Sequence, residues 1–176
     1  MHAAVVSVPL DPASDTRLHG SKVVLVPTDP AHVERLLAIR AHPIVAARWG
    51  EPEPGWPFTD ADVVPWTTQH AGAVIGFVHY GAEIDPDYLS ASLDIFLDPA
   101  LHGRGFASDA IRTLVEHLTV RHGHHRLTID PAADNYVAIR CYTAAGFRPV
   151  GVMHRYERGA DGTWHDGLLM EFVTDV

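Results

Sequence analysis

The sequence predicts an α/β protein: a mixed sheet with helices on both faces. Three observations carry that reading. β-branched, alternating runs recur along the chain; strand and helix patterns alternate from residue 90 to residue 147; and two long extended runs joined by Gly-Ala-Asp-Gly close the chain as a hairpin.

The elements follow in order. Residues 1–20 carry Pro9, Asp11, Pro12, Ser14 and Asp15 and read as a lead-in, with a single domain over 21–176. Residues 21–27 (SKVVLVP) form a strand. Thr28 or Asp29 caps a helix with Pro30 near its first position and Val33, Leu36, Leu37 and Arg40 at helical spacing. A short helix covers 43–48, and 49–58 (WGEPEPGWPF) is an ordered loop. Residues 61 to about 70 read as a further helix, capped by Thr59 or Asp60 and shortened by Pro65.

Residues 73–80 are a strand and 81–89 a turn. The strand 90–98 alternates cleanly: Leu93, Ile95 and Leu97 share one face, and Ser92, Asp94 and Phe96 the other. A helix over 108–123 carries Ile111, Leu114, Val115 and Leu118 on one stripe with Ala107. Residues 126–130 form a strand stopped by Pro131, and 135–145 a helix ended by Gly146. Strands 147–158 and 163–173 complete the order β-α-α-β-β-α-β-α-β-β.

Composition narrows the function. Hydrophobic residues make up 47% and charged residues 20%, enough apolar material for a packed core. No apolar run approaches the roughly 18 residues a membrane span needs, and the start of the chain lacks the basic region of a signal peptide. A cytoplasmic protein is expected. Thirteen Lys and Arg against 22 Asp and Glu give −9, with Lys22 the one lysine. That balance argues against nucleic-acid and anionic-membrane partners and favours a cationic substrate. The single cysteine, Cys141, excludes a disulfide framework, and the thirteen histidines form no HExxH spacing, so no metal is expected.

Two constellations carry chemistry. Leu101-His102-Gly103-Arg104-Gly105-Phe106-Ala107 follows a strand and opens a helix. Its glycines let backbone N–H groups converge where the helix adds partial positive charge, a nest for a phosphate or pyrophosphate. It fits neither GxGxxG, where Ser108 stands in place of the third glycine, nor the Walker pattern. Downstream, Asn135, Ala138 and Tyr142 recur at three and four residues and share one helix face. Cys141 lies about 100° away from Tyr142 and reads as a small buried apolar residue rather than a nucleophile.

The first segment matches the acetyl-CoA-binding pattern Gln/Arg-x-x-Gly-x-Gly/Ala, with Gly105 and Ala107 in place and His102 where Gln or Arg is usual. The second matches N-x-x-A-x-x-x-Y-x-x-x-G-F, about 30 residues further on. Together they resemble the GNAT superfamily of acetyl-CoA-dependent N-acetyltransferases over roughly residues 20–173. Residues 128–147 (TIDPAADNYVAIRCYTAAGF), 44–50 (IVAARWG) and Leu93–Asp94 are similar to the aminoglycoside 6'-N-acetyltransferase branch.

The resemblance implies a mostly antiparallel sheet with a splayed central strand pair. The pantetheine arm of acetyl-CoA would lie in the gap, along Ile95, Phe96 and Leu97, with its pyrophosphate on His102, Gly103, Arg104, Gly105, Phe106 and Ala107. Asn135 would hydrogen-bond the arm, Ala138 would belong to the same cofactor site, and Tyr142 would protonate the leaving thiolate. Asp94 and Asp130 would grip substrate ammonium groups, Asp94 at the reacting amine, with Trp49, Glu51 and Glu53 as further wall. The implied reaction is direct attack of an aminoglycoside amine on the thioester by a monomer or homodimer. Acetylation of a protein N-terminus or another small amine is the alternative, and a cofactor-binding module without activity a third reading.

Overall fold

The computed structural model describes residues 17–159 and 161–174. Its elements are β1 (Leu18–His19), β2 (Val24–Pro27), α1 (Pro30–Arg40), α2 (Pro43–Trp49), β3 (Val63–His70), β4 (Ala73–Glu83), β5 (Ser90–Leu97), α3 (Phe106–Glu116), β6 (Arg126–Ile129), α4 (Tyr136–Ala144), β7 (Arg148–Arg158) and β8 (Trp164–Val173). The eight strands form one sheet in the order β1-β2-β3-β4-β5-β6-β8-β7. Every neighbouring pair is antiparallel except β5 and β6, which are parallel. Most of the expected lead-in, residues 1–16, lies outside the described residues; Leu18 and His19 at its end pair with Leu25 and Val24.

One element corrects the sequence reading. The helix expected over 61–70 is β3, paired with both β2 and β4. Val63, Val64, Thr67 and Thr68 are β-branched, and Pro65 would break a helix interior. Asp60 caps no helix: its Oδ1 accepts from the Asp62 amide at 2.9 Å in a local turn. Ala71 and Gly72, both at positive φ, make the two-residue turn into β4. The helix expected over 108–123 begins at Phe106, and after Glu116 it continues as one wider turn over His117–Arg121.

The alternation expected in β5 holds and divides the core in two. Leu93, Ile95 and Leu97 pack against Ala110, Ile111, Leu114 and Leu118 on and after α3. On the other face Phe96 joins Phe77 beneath Leu36 and Ile39 of α1 and Val45 of α2. Each such side chain stabilises the fold by about 1.5–3 kcal/mol through burial. Asp109 ties the first strands to α3: its carboxylate accepts from the amides of Lys22 (2.7 Å), Val23 (3.0 Å) and Ser21 (3.2 Å) and from Ser21 Oγ (2.6 Å). Gly20 permits that approach, because a Cβ there would stand 2.5 Å from Asp109 Oδ2 and from Thr113 Oγ1.

The sheet opens where the resemblance places the gap. β5 and β6 pair at Ser90↔Arg126, Ala91↔Leu127 and Ser92↔Thr128, and the pairing stops there. Past that point β6 is held on its other edge by β8, through Ile129↔Met170. The C-terminal half of β5 therefore presents unpaired backbone on the side facing α4.

Candidate active site

A cavity of about 630 Å³ fills the opening between β5 and α4. Ile95, Phe96 and Leu97 form its β5 wall, and Asn135, Ala138 and Tyr142 its α4 wall. The loop before α3 closes one end with His102, Gly103 and Gly105, and the first turn of α3 adds Phe106 and Ala107. The resemblance implies one site for these residues, and all of them line this cavity.

The glycine loop has the geometry of an anion cradle. Gly103 and Gly105 sit at φ +76° and +79°, conformations that favour residues without a Cβ. Gly105 is the N-cap of α3, so the first-turn amides of that helix lack intrahelical acceptors and face the loop. His102 folds back, with Nε2 3.3 Å from the Leu97 carbonyl. Arg104 is the exception: it is exposed and off the cavity wall, and its carbonyl accepts from Lys22 Nζ at 2.8 Å. Lys22 brings a cationic side chain next to the cradle: its Nζ would lie 3.0 Å from a Cβ on Gly105.

Asn135 has a structural task as well. Its Oδ1 accepts from the Ala138 amide at 3.2 Å and caps α4, which leaves the carboxamide NH₂ to donate to a ligand. Tyr142 is buried at the far end of the same helix. Burial pushes its phenol well above 10, and the Asp94 and Asp130 charges push the same way. Burial raises the Cys141 thiol to about 11, so at neutral pH it is not a thiolate nucleophile.

Beyond Tyr142 the surroundings turn acidic. Asp94, on β5 next to the cavity-lining Ile95, is exposed to water. Desolvation raises its carboxyl to about 7; Asp130 and Glu157 add to the rise, while the Ile95 N–H (2.8 Å to Oδ1) and Arg40 oppose it. Asp130, just past the end of β6, accepts a hydrogen bond from the Tyr156 hydroxyl at 2.5 Å. Trp49 both lines the cavity and anchors in the second core, edge-on to Phe96 at 4.8 Å. Glu51 and Glu53 are exposed on the loop that follows, and only Glu51 acts on a nearby cation, Arg40.

Several site residues gave no sequence signal. Arg40 is buried, donates Nη2 to the Trp49 carbonyl at 2.8 Å and lies 4.7 Å from the Trp56 ring centroid. His79 stands directly across from Asp94 on β4, and burial holds its imidazole below the usual range. Arg48 lines the cavity and pairs with Asp134 at 2.8 Å, joining α2 to the loop before α4. Tyr156 and Glu157 reach the acidic end from β7. Sequence periodicity could not find these residues, because their positions depend on strand pairing and helix packing far along the chain.

The chain belongs to the GNAT family: the acetyltransferase (GNAT) domain model matches residues 22–148. Enzymes of this family use acetyl-CoA as co-substrate, and the cavity described above holds the residues that fit it. No curated protein sequence matches the chain. Among solved structures, it is similar to AAC(6')-Ib in complex with paromomycin and acetyl-CoA (22% identity, TM-score 0.70, 86% of this chain and 93% of that one). It is also similar to Mycobacterium smegmatis RimJ in complex with CoA-disulfide (20%, 0.75, 90% and 86%). A third is the Vibrio cholerae spermidine N-acetyltransferase in complex with CoA and spermine (21%, 0.73, 87% and 96%). At these identities the likeness is one of fold. Among the described residues no group of three or more His, Cys, Asp or Glu could hold a metal ion, and no helix is long and apolar enough to cross a membrane.

Proposed function

We propose that this acetyltransferase acetylates a primary amine of an aminoglycoside, by direct attack of the amine nitrogen on the acetyl-CoA thioester. The observation that carries the reading is the set of carboxylates beyond Tyr142: Asp94 and Asp130 from adjacent strands, with Glu157 from the hairpin acting on Asp94. Several acids at one end of the cleft suit a substrate with several ammonium groups, in a chain of net charge −9. A single peptide N-terminus would leave most of that charge unmatched.

Asp94 takes the proton of the reacting amine. An amine with a lysine-like pKa costs about 4–5 kcal/mol to deprotonate at pH 7. Raising a carboxyl from 3.8 to about 7 narrows the proton-transfer gap by at most about 4 kcal/mol, and by less while water fills the cleft. The nitrogen lone pair then forms the C–N bond, the tetrahedral intermediate collapses, and the C–S electrons leave on sulfur. Tyr142 supplies the proton to that thiolate. Its high pKa keeps it protonated until the thiolate forms beside it. Asp130 holds a second ammonium group of the substrate.

The test is coenzyme A release from acetyl-CoA by purified protein, followed with a thiol reagent. The panel holds kanamycin-type and kasugamycin-type aminoglycosides, a polyamine and N-terminal peptides. Turnover confined to the aminoglycosides is expected. Turnover on peptides, with none on polycations, would overturn the substrate assignment.

A further inference from the structure

We propose that Tyr156 is a positioning residue for the acceptor pocket: a local irregularity in the closing hairpin aims it at Asp130 and fixes that carboxylate for an ammonium group. The inference deepens the proposed function and rests on it for the role of Asp130.

The geometry begins in the register of β7 and β8. Met153 pairs with Gly167 and Glu157 with His165, so His154, Arg155 and Tyr156 stand opposite Asp166 alone. Such bulges bend a strand and re-aim a side chain. This one is built into the chain. Arg155 takes φ +51°, a left-handed conformation unusual for its residue type. Asp166 fills the bulge, accepting from the Arg155 amide at 2.8 Å with Oδ1 and lying 3.0 Å from His154 Nδ1 with Oδ2.

Across the pair, Gly167 makes room for the phenol. A Cβ there would lie 2.8 Å from Tyr156 Cδ1 and 3.1 Å from Met153 Cε. The segment that carries Asp130 is joined to the same part of β8. The Leu168 amide donates to the Pro131 carbonyl at 2.8 Å, the Ala133 amide to the Asp166 carbonyl at 2.8 Å, and Ala132 bridges Gly167. Tyr156 and Asp130 are thus fixed to one piece of backbone, and the hydroxyl closes the gap between them at 2.5 Å.

The consequence is preorganisation. A free aspartate must lose rotamer freedom when it grips a ligand; one already held by a neighbouring hydroxyl has lost it beforehand. Tyr156 does not line the cofactor cavity, so its effect falls on the amine substrate and not on acetyl-CoA.

The experiment has two arms. In the first, Tyr156→Phe, Asp130→Asn and the double variant are assayed on whichever amine in the panel the wild type acetylates. Tyr156→Phe is expected to raise KM for the amine about 3- to 10-fold, to lower kcat by less, and to leave KM for acetyl-CoA unmoved. In Asp130→Asn the tyrosine change should add nothing further. Gly167→Ala should reproduce the amine-side effect by displacing the ring. Equal effects on both substrates, or a tyrosine effect that persists without Asp130, would overturn the proposal.

The second arm needs no substrate: the ring of Tyr156 is titrated by ¹³C-tyrosine NMR. The hydrogen bond to Asp130 and nearby negative charge hold this phenol at about 12, and in Asp130→Asn the midpoint is expected to fall toward about 10. An unchanged midpoint would overturn the pairing. A panel without aminoglycoside turnover, but with a normal shift in this arm, would defeat the proposed substrate and leave the pairing standing.

Discussion

Ser92 of β5 pairs with Thr128 of β6, and two residues further along Asp94 stands where β5 still pairs with β4 but has parted from β6. That short distance links the fold to the chemistry. A parallel pair that ran on to Leu97 would fill the cavity with backbone hydrogen bonds. Because it stops, the C-terminal half of β5 lines the cavity, and the proposed reaction sets Asp94 at the acceptor's end of it.

Tyr142 is the first test of that arrangement. Tyr142→Phe keeps the packed ring and removes the proton donor. kcat should fall about 10²-fold, with KM for both substrates little changed. A fall in affinity for acetyl-CoA alone would make Tyr142 a wall residue instead.

Gly105 tests the cradle. Gly105→Ala puts a Cβ on a residue at φ +79° and 3.0 Å from Lys22 Nζ. The strain of about 1–2 kcal/mol should appear as a rise of about tenfold in KM for acetyl-CoA. Titration calorimetry with coenzyme A provides the check, and undiminished affinity would remove the loop from the site.

Asp94 carries a stability signature as well as a kinetic one. Its folded-state pKa is raised, so the ionised carboxylate destabilises the fold. That penalty is absent below about pH 4 and grows as pH rises toward 7. Water in the cleft screens it to about 1 kcal/mol, which is about 2–4 °C in Tm. Asp94→Asn should therefore melt higher than the wild type at pH 8 and alike at pH 4; calorimetric scans at the two pH values decide it.

Asp109 runs the other way. Burial alone would raise its pKa, but hydrogen bonds from Ser21, Lys22 and Val23 outweigh burial and hold it low. Its stabilisation is present above the ordinary carboxylate range and is lost as pH falls through the depressed value. Asp109→Asn should cost about 2–4 kcal/mol at pH 7, measured by urea denaturation, because it turns one of the two accepting oxygens into an NH₂ donor that faces the N–H groups of residues 21–23.

Much of this site was legible in the sequence because its parts are local. The glycine loop and the face shared by Asn135, Ala138 and Tyr142 each lie within one turn or helix, where spacing fixes position. The alternation of Leu93, Ile95 and Leu97 with Asp94 is equally local. The misread segment, 61–70, shows the opposite case. A polar start and a proline resembled a capped helix, and only pairing with β2 and β4 makes its β-branched residues a strand. Arg40, His79 and Tyr156 reach the site through tertiary packing or a bulge, for which the sequence carries no period.

The most direct measurement is the pH dependence of kcat/KM for an acetylated aminoglycoside, in the wild type and Asp94→Asn, from about pH 5.5 to about pH 9. A base must be deprotonated to act, so the wild-type value should climb through an apparent pKa near 7 and then level. Asp94→Asn should lose that limb and fall at least about 10²-fold at pH 8. The same limb and a similar rate in both proteins would contradict Asp94 as the group that takes the proton.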